Sequence, residues 1–173
     1  MERLDPQAML VAVQTYFKGE RLEMFSIVLI GALLLIACTV LYLGTRDGFS
    51  RGFCMTVALA VALFGGTALW LLCHDPQVAS ALLSAVHSAQ AQQAFAAELS
   101  RMQVVIDQYP LYRLAGIAFT VLAVVIVAFV RSPLWNGVAA GFCLMFVALL
   151  LIDHYSAQRA HTYMRQLSAF VEP

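Results

Sequence analysis

Apolar and polar positions fall in long blocks along this chain. Four apolar runs, 24–45, 52–73, 114–130 and 132–152, contain no charged side chain. Each has about 17 to 22 residues, the length an α-helix needs to cross roughly 30 Å of hydrocarbon. In lipid every backbone N–H and C=O must be satisfied within its own element, so such runs are helices. The pattern predicts four spans, at about 24–44, 52–73, 113–130 and 134–152, arranged as two hairpins.

The polar blocks carry a different periodicity. Asp5-Pro6 is a helix start, with Asp as cap and Pro at the first helical position. Met9, Leu10, Val13, Tyr16 and Phe17 then recur at helical spacing. They predict an amphipathic helix over 6–18, lying on the membrane surface and ended by Gly19. Thr45-Arg46-Asp47-Gly48 reads as a tight turn between the first two spans, and Arg131-Ser132-Pro133 as its counterpart between the last two. The one long connection, 74–112, is expected to be helical over 76–109, beginning at Asp75-Pro76. In it Phe95, Leu99, Met102 and either Val105 or Ile106 share one face, while Glu98 and Arg101 form an i,i+3 pair on another. Polar residues over 88–93 interrupt the stripe and suggest a break. After the fourth span, Tyr155, Ala157, Ala160, Tyr163, Met164 and Leu167 keep helical spacing and predict a helical tail over 153–170, with Arg159 and Arg165 facing water or headgroups. The expected fold is an all-α membrane protein, one domain over 1–173.

Composition sharpens this reading. Hydrophobic residues make up 62% and charged residues 12%, against roughly 45–50% and 25% in soluble domains. With zero formal net charge, no basic field exists to hold nucleic acid. The first run follows a polar segment and exceeds a signal-peptide core in length, so no cleaved leader is expected. Leu35-Ile36-Ala37-Cys38 resembles a lipoprotein cleavage site, but the apolar run continues past the cysteine. Arg3, Lys18, Arg21, Arg101, Arg113, Arg159 and Arg165 fall on one side of the membrane, and Arg46, Arg51 and Arg131 on the other. That bias places both termini and the long connection in the cytoplasm.

Candidate chemistry is sparse. Cys38, Cys54, Cys73 and Cys143 form no Cys-x-x-Cys pair and read as small apolar residues. The histidines are His74, His87, His154 and His161. A redox or metal enzyme built on His74, Asp153 and His154 is the weakest expectation. His154 and His161 lie two turns apart on one helix, about 10 Å, whereas zinc takes ligands within about 2 Å. No metal or cofactor is expected. The runs hold no Asp, Glu, Lys, Arg or His and no Gly/Pro-interrupted span of the kind that marks ion pathways. A subunit of a small channel or transporter remains the alternative. Ala58, Ala62 and Gly66 form a small-xxx-small ladder, and Gly137 with Gly141 a GxxxG motif; both allow close helix approach. Such faces pack within the chain, seat a partner helix or join two copies. Tyr42, Trp70, Tyr112, Trp135 and Tyr155 read as interfacial anchors. Gly52-Phe53-Cys54 and Gly141-Phe142-Cys143 give a faint internal repeat.

A set of short motifs runs through most of the chain. It comprises Tyr16-Phe17-Lys18-Gly19-Glu20 with Glu23, then Arg51-Gly52, then Glu98, Arg101 and Met102. Asp153, Arg159, Tyr163 and Leu167 complete it. With these motifs the chain resembles small four-span proteins of Gram-negative bacteria. Some small multispan proteins of this appearance protect their producer against membrane-targeting toxins from neighbouring cells. The resemblance implies action by protein–protein contact rather than catalysis. Expected partners are the bilayer and a membrane protein, either a toxin or a second copy of the chain. Expected contact residues are Phe95, Leu99 and Met102, together with Ala58, Ala62, Gly66, Gly137 and Gly141.

Overall fold

The computed structural model describes residues 5–86, 88 and 90–171, so Arg3 and His87 lie outside the described residues. Four helices account for nearly all of it: α1 Pro6–Thr45, α2 Gly48–Ala85, α3 Ala91–Phe129 and α4 Pro133–Val171. They contain 40, 38, 39 and 39 residues, hence about 60 Å each, twice the thickness of the hydrocarbon core. All four are long and apolar enough to cross a membrane, and the chain is a multi-pass, all-α membrane protein. The apolar runs occupy the second half of α1, the first half of α2, the second half of α3 and the first half of α4. Because the helices alternate in direction, all four remaining halves emerge on the same side.

Local chemistry sets the turns. Arg46 adopts the left-handed conformation (φ 50°) and its N–H bonds to the Tyr42 carbonyl, closing α1. Asp47 caps α2, its carboxylate accepting from the Ser50 N–H at 2.8 Å. Between α3 and α4, Val130 leaves the helix in an extended conformation and Pro133 starts the next one. At the other end, the Ser88 and Ala91 N–H groups bond to the Ala85 and Ser88 carbonyls around the turn between α2 and α3.

Two predicted helix ends are interior positions. Gly19 does not stop a surface helix, because α1 passes through it. A Cβ at Gly19 would lie 3.0 Å from the Arg159 Cδ, so the glycine clears room for a side chain of α4. Nor does Pro76 begin a new helix: α2 carries through it, and Pro110 likewise lies inside α3. Proline removes one backbone bond, but beyond it Leu82 and Val86 are buried in the common core and keep α2 on its axis. The 74–112 connection is therefore the ends of two long helices, with its break close to the polar segment. A π-helical turn, Val61–Gly65, interrupts α2 inside the membrane.

The emergent halves form a closed four-helix bundle. Met9, Val13 and Phe17 from α1, Leu82 and Val86 from α2, Phe95, Met102 and Ile106 from α3, and Tyr163 and Leu167 from α4 make one apolar cluster. The apolar stripe over 6–18 thus faces this core rather than the membrane surface.

Inside the membrane, small residues bring the helices together. Gly52 and Gly137 form the tightest seam, between α2 and α4. A Cβ on Gly137 would collide with the Phe49 carbonyl oxygen, and one on Gly52 with that of Leu134. Gly141 packs on Thr56, its would-be Cβ 2.9 Å from the threonine Cβ. Gly31 meets Val61 between α1 and α2, and Gly116 meets Leu150 between α3 and α4. The two Gly-Phe-Cys segments thereby bring Gly52 and Gly141 to one seam. Large side chains such as Leu33, Leu63, Val121 and Phe129 point outward. The expected anchors Tyr42, Trp70, Tyr112, Trp135 and Tyr155 are exposed as well.

Candidate functional site at the membrane exit

Where the helices leave the lipid, a set of polar side chains starts at the membrane exit and reaches into the apolar core, whose cluster includes Tyr16 and Tyr163. From α1, the Tyr16 hydroxyl donates to Glu20 Oε1 at 2.8 Å, an i,i+4 pair one helical turn long. The Tyr16 ring lies flat against Tyr163 of α4, with centroids 4.3 Å apart and planes 8° from parallel. From α3, Glu98 accepts a two-pronged hydrogen bond from Arg101, Nε and a terminal nitrogen each at 2.7 Å. Arg159 of α4 pairs with Glu23 of α1, in the space left by Gly19. Asp75 of α2 completes the set near Glu20 and Arg101.

Electrostatics follow from burial. Glu98 is only 5% exposed and lies against the Arg101 fork, the geometry in which guanidinium–carboxylate pairs are strongest. The same hydrogen bonds, chiefly from Glu98, raise the Arg101 guanidinium above its ordinary value. Glu20 has no such fork. Burial raises its carboxyl above the ordinary range and Asp75 pushes the same way, against the Tyr16 hydrogen bond and the Arg101 and Arg159 charges. Asp75 is raised by burial, with Arg101 opposing. Tyr16 and Tyr163 are both raised, first by burial and then by the carboxylates of Glu20 and Glu98 respectively. The Tyr163 hydroxyl is fully enclosed without a closed hydrogen bond. Nearer the lipid, burial raises Asp153 against the opposing charge of Arg113.

Of these contacts the Arg159–Glu23 pair and the Tyr16–Tyr163 stack cross between helices, both joining α1 to α4. Among the described residues, no three His, Cys, Asp or Glu side chains converge to hold a metal ion. His74 stacks on Trp70, and His154 lies 3.1 Å from the Gln158 side chain. A groove of about 390 Å³ runs along the outside of the aqueous half between α1 and α4, past Val11, Thr15, Tyr155 and Thr162. A smaller apolar one, about 140 Å³, lies between α2 and α4 within the membrane, beside Leu63 and Phe142.

The expected contact residues divide into three groups. Phe95 and Met102 are fully buried, and Leu99 packs against the same cluster. Their face is consumed by the chain's own core, which corrects the expectation of an outward contact surface there. Gly137 and Gly141 are buried in the α2–α4 seam. Ala58, Ala62 and Gly66 remain outward, with open space around a would-be Cβ on Gly66.

The spacing of Glu98 and Arg101 gave their pairing but not the burial of Glu98. Arg159, expected to face water or headgroups, turns inward to Glu23. The meeting of Tyr16 with Tyr163 had no local trace in the chain, since the two residues lie far apart in sequence. No protein-family model, curated protein or solved structure matches this chain.

Proposed function

We propose that this protein acts by contact with another membrane protein inside the bilayer, and that its specific role is immunity against a membrane-targeting toxin. One observation carries the contact reading. The Ala58–Ala62–Gly66 ladder faces lipid without a partner helix, while Gly31, Gly52, Gly116, Gly137 and Gly141 are all used between the chain's own helices. In lipid, association rests on close packing rather than expulsion of water, and small residues let backbones approach. The span hydroxyls give a pore lining little to work with. Ser26, Thr39, Thr67 and Thr120 each donate to the carbonyl four residues earlier on their own helix. Immunity is the specific form because the motif set resembles small multispan proteins that include protectors against such toxins.

The host membrane is a bacterial inner membrane, and the bundle points into the cytoplasm. Lys18, Arg21, Arg101, Arg113, Arg159 and Arg165 lie on the bundle side, against Arg46, Arg51 and Arg131 at the short turns. A cysteine introduced at Ser88 should then label with an impermeant maleimide only after the cells are opened.

The decisive experiment is deletion of the gene followed by challenge with a co-encoded or neighbour-delivered membrane toxin. Killing of the deletion strain, rescued by the wild-type chain but not by Ala62→Leu at equal membrane level, is the expected result. Survival unchanged by deletion would sink the immunity reading. Full rescue by Ala62→Leu would remove the ladder from it.

A further inference from the structure

A cysteine of α2 meets a cysteine of α1 inside the bilayer. Cys54 of α2 points its Sγ at the Cys38 carbonyl oxygen of α1, 3.1 Å away, and the two side chains are near neighbours. Both cysteines are free. Register explains the meeting. Cys38 and Cys54 each stand eight residues from Arg46 in the turn, while Gly31 and Val61 each stand fifteen from it. The two layers are thus seven residues apart on both helices, one repeat of an antiparallel seam. In the deeper layer, a Cβ on Gly31 would lie 3.0 Å from Val61 Cγ1, so the glycine draws the helix axes together. The thiol layer lies about 12 Å from Arg46 by helical rise.

We propose that Cys38 and Cys54 form a redox-modification site, converted to an interhelical disulfide by an organic hydroperoxide dissolved in the lipid. Cys54 is partly exposed to lipid whereas Cys38 is buried, which assigns them successive roles. The Cys54 sulfur attacks the terminal peroxide oxygen. The O–O bond breaks, the alcohol leaves carrying the thiol proton, and Cys54 becomes a sulfenic acid. The Cys38 sulfur then displaces the hydroxyl, which departs as water with the second thiol proton. Sulfur is oxidised by two electrons in total and the hydroperoxide is reduced to alcohol and water. The product locks the α1–α2 hairpin one helical turn from Ala58. Neither step draws on the immunity reading.

The full-length protein in liposomes, exposed to cumene hydroperoxide, tests this directly. After denaturation and maleimide alkylation, intact mass reports the number of free thiols. The untreated chain should take four labels, one for each cysteine. The oxidised chain should take two, with peptide mapping linking Cys38 to Cys54 and finding Cys73 and Cys143 alkylated. Cys38→Ser and Cys54→Ser should each take three labels after a brief untreated incubation, and neither should yield an intramolecular disulfide on oxidation. Retention of four labels by the treated wild type, or linkage through Cys73 or Cys143, would overturn the assignment.

Discussion

The aqueous and lipid halves of the same four helices are built in opposite ways. Outside the membrane the large side chains are inside: Phe95, Met102, Tyr163 and Leu167 are enclosed. Within the membrane the small ones are inside: Gly52, Gly137, Gly141 and Ala139 are buried while Leu33, Leu63 and Phe129 face out. Solvent accounts for the inversion. Water drives large apolar surface into a core at roughly 25 cal/mol per Å². Lipid tails are as apolar as leucine, so in the membrane what remains is packing, and packing favours residues that let backbones touch. Each helix therefore changes its rule of construction halfway along, and in α1 Glu20 and Glu23 stand close to the change.

The sharpest way to break this comparison is to apply one mutation on both sides of it. Phe95→Ala, in the aqueous core, should cost about 4 kcal/mol of unfolding free energy. Phe129→Ala, at a side chain 81% exposed towards lipid, should cost less than about 0.5 kcal/mol. Denaturant titration in a mild detergent or in bicelles measures both. Equal losses would mean that the halves do not differ as described.

The reverse test uses glycine. Gly137→Ala drives a methyl group into the Phe49 backbone and should cost about 3 kcal/mol by forcing α2 and α4 apart. Gly66→Ala meets open space and should be neutral or slightly stabilising, because alanine is the better helix former. Melting followed by circular dichroism separates the pair. Next in size comes Arg101→Met, which strands the Glu98 carboxylate in its buried position. About 2 kcal/mol is expected, less than for a wholly buried pair because Arg101 is itself 44% exposed.

The two halves were unequally legible in the sequence. Run length and absence of charge located the spans, because hydrocarbon thickness sets a fixed demand. The Arg46-Asp47 turn was equally plain, since a cap and a left-handed residue are local chemistry. The stripe of Met9, Val13, Tyr16 and Phe17 showed a helix with an apolar face but not what covers that face. Membrane surface, partner and three sister helices all ask for the same pattern. Gly19 carried a stop signal and Pro76 a start signal, and burial overrode both. Ala58–Ala62–Gly66 and Gly137–Gly141 obey one spacing rule, yet only the second is buried, and nothing local to either distinguishes them. In the polar set the Tyr16–Glu20 and Glu98–Arg101 spacings are local. The Tyr16–Tyr163 stack joins opposite ends of the chain and arises only when the bundle closes.

The smallest expected effect tests the boundary itself. Glu20 is raised in the folded bundle by burial and by Asp75, whereas in the unfolded chain it titrates near an ordinary value of about 4.3. Between those two values the folded state binds more protons, so stability rises as pH falls through the folded value and levels off below the unfolded one. Asp75 and Asp153, also raised, contribute in the same direction. Glu20→Gln keeps an acceptor for the Tyr16 hydroxyl and removes the charge. It should raise the melting temperature slightly at pH 8, with little change at pH 4, and flatten the slope between them. Gln93→Glu, an exposed acid added on α3, should leave that slope nearly unchanged. A wild-type melting temperature that climbs steadily from pH 4 to pH 8 would place the opposite sign on Glu20, making the polar set a stabilising ionic seam instead of a strained part of the aqueous core.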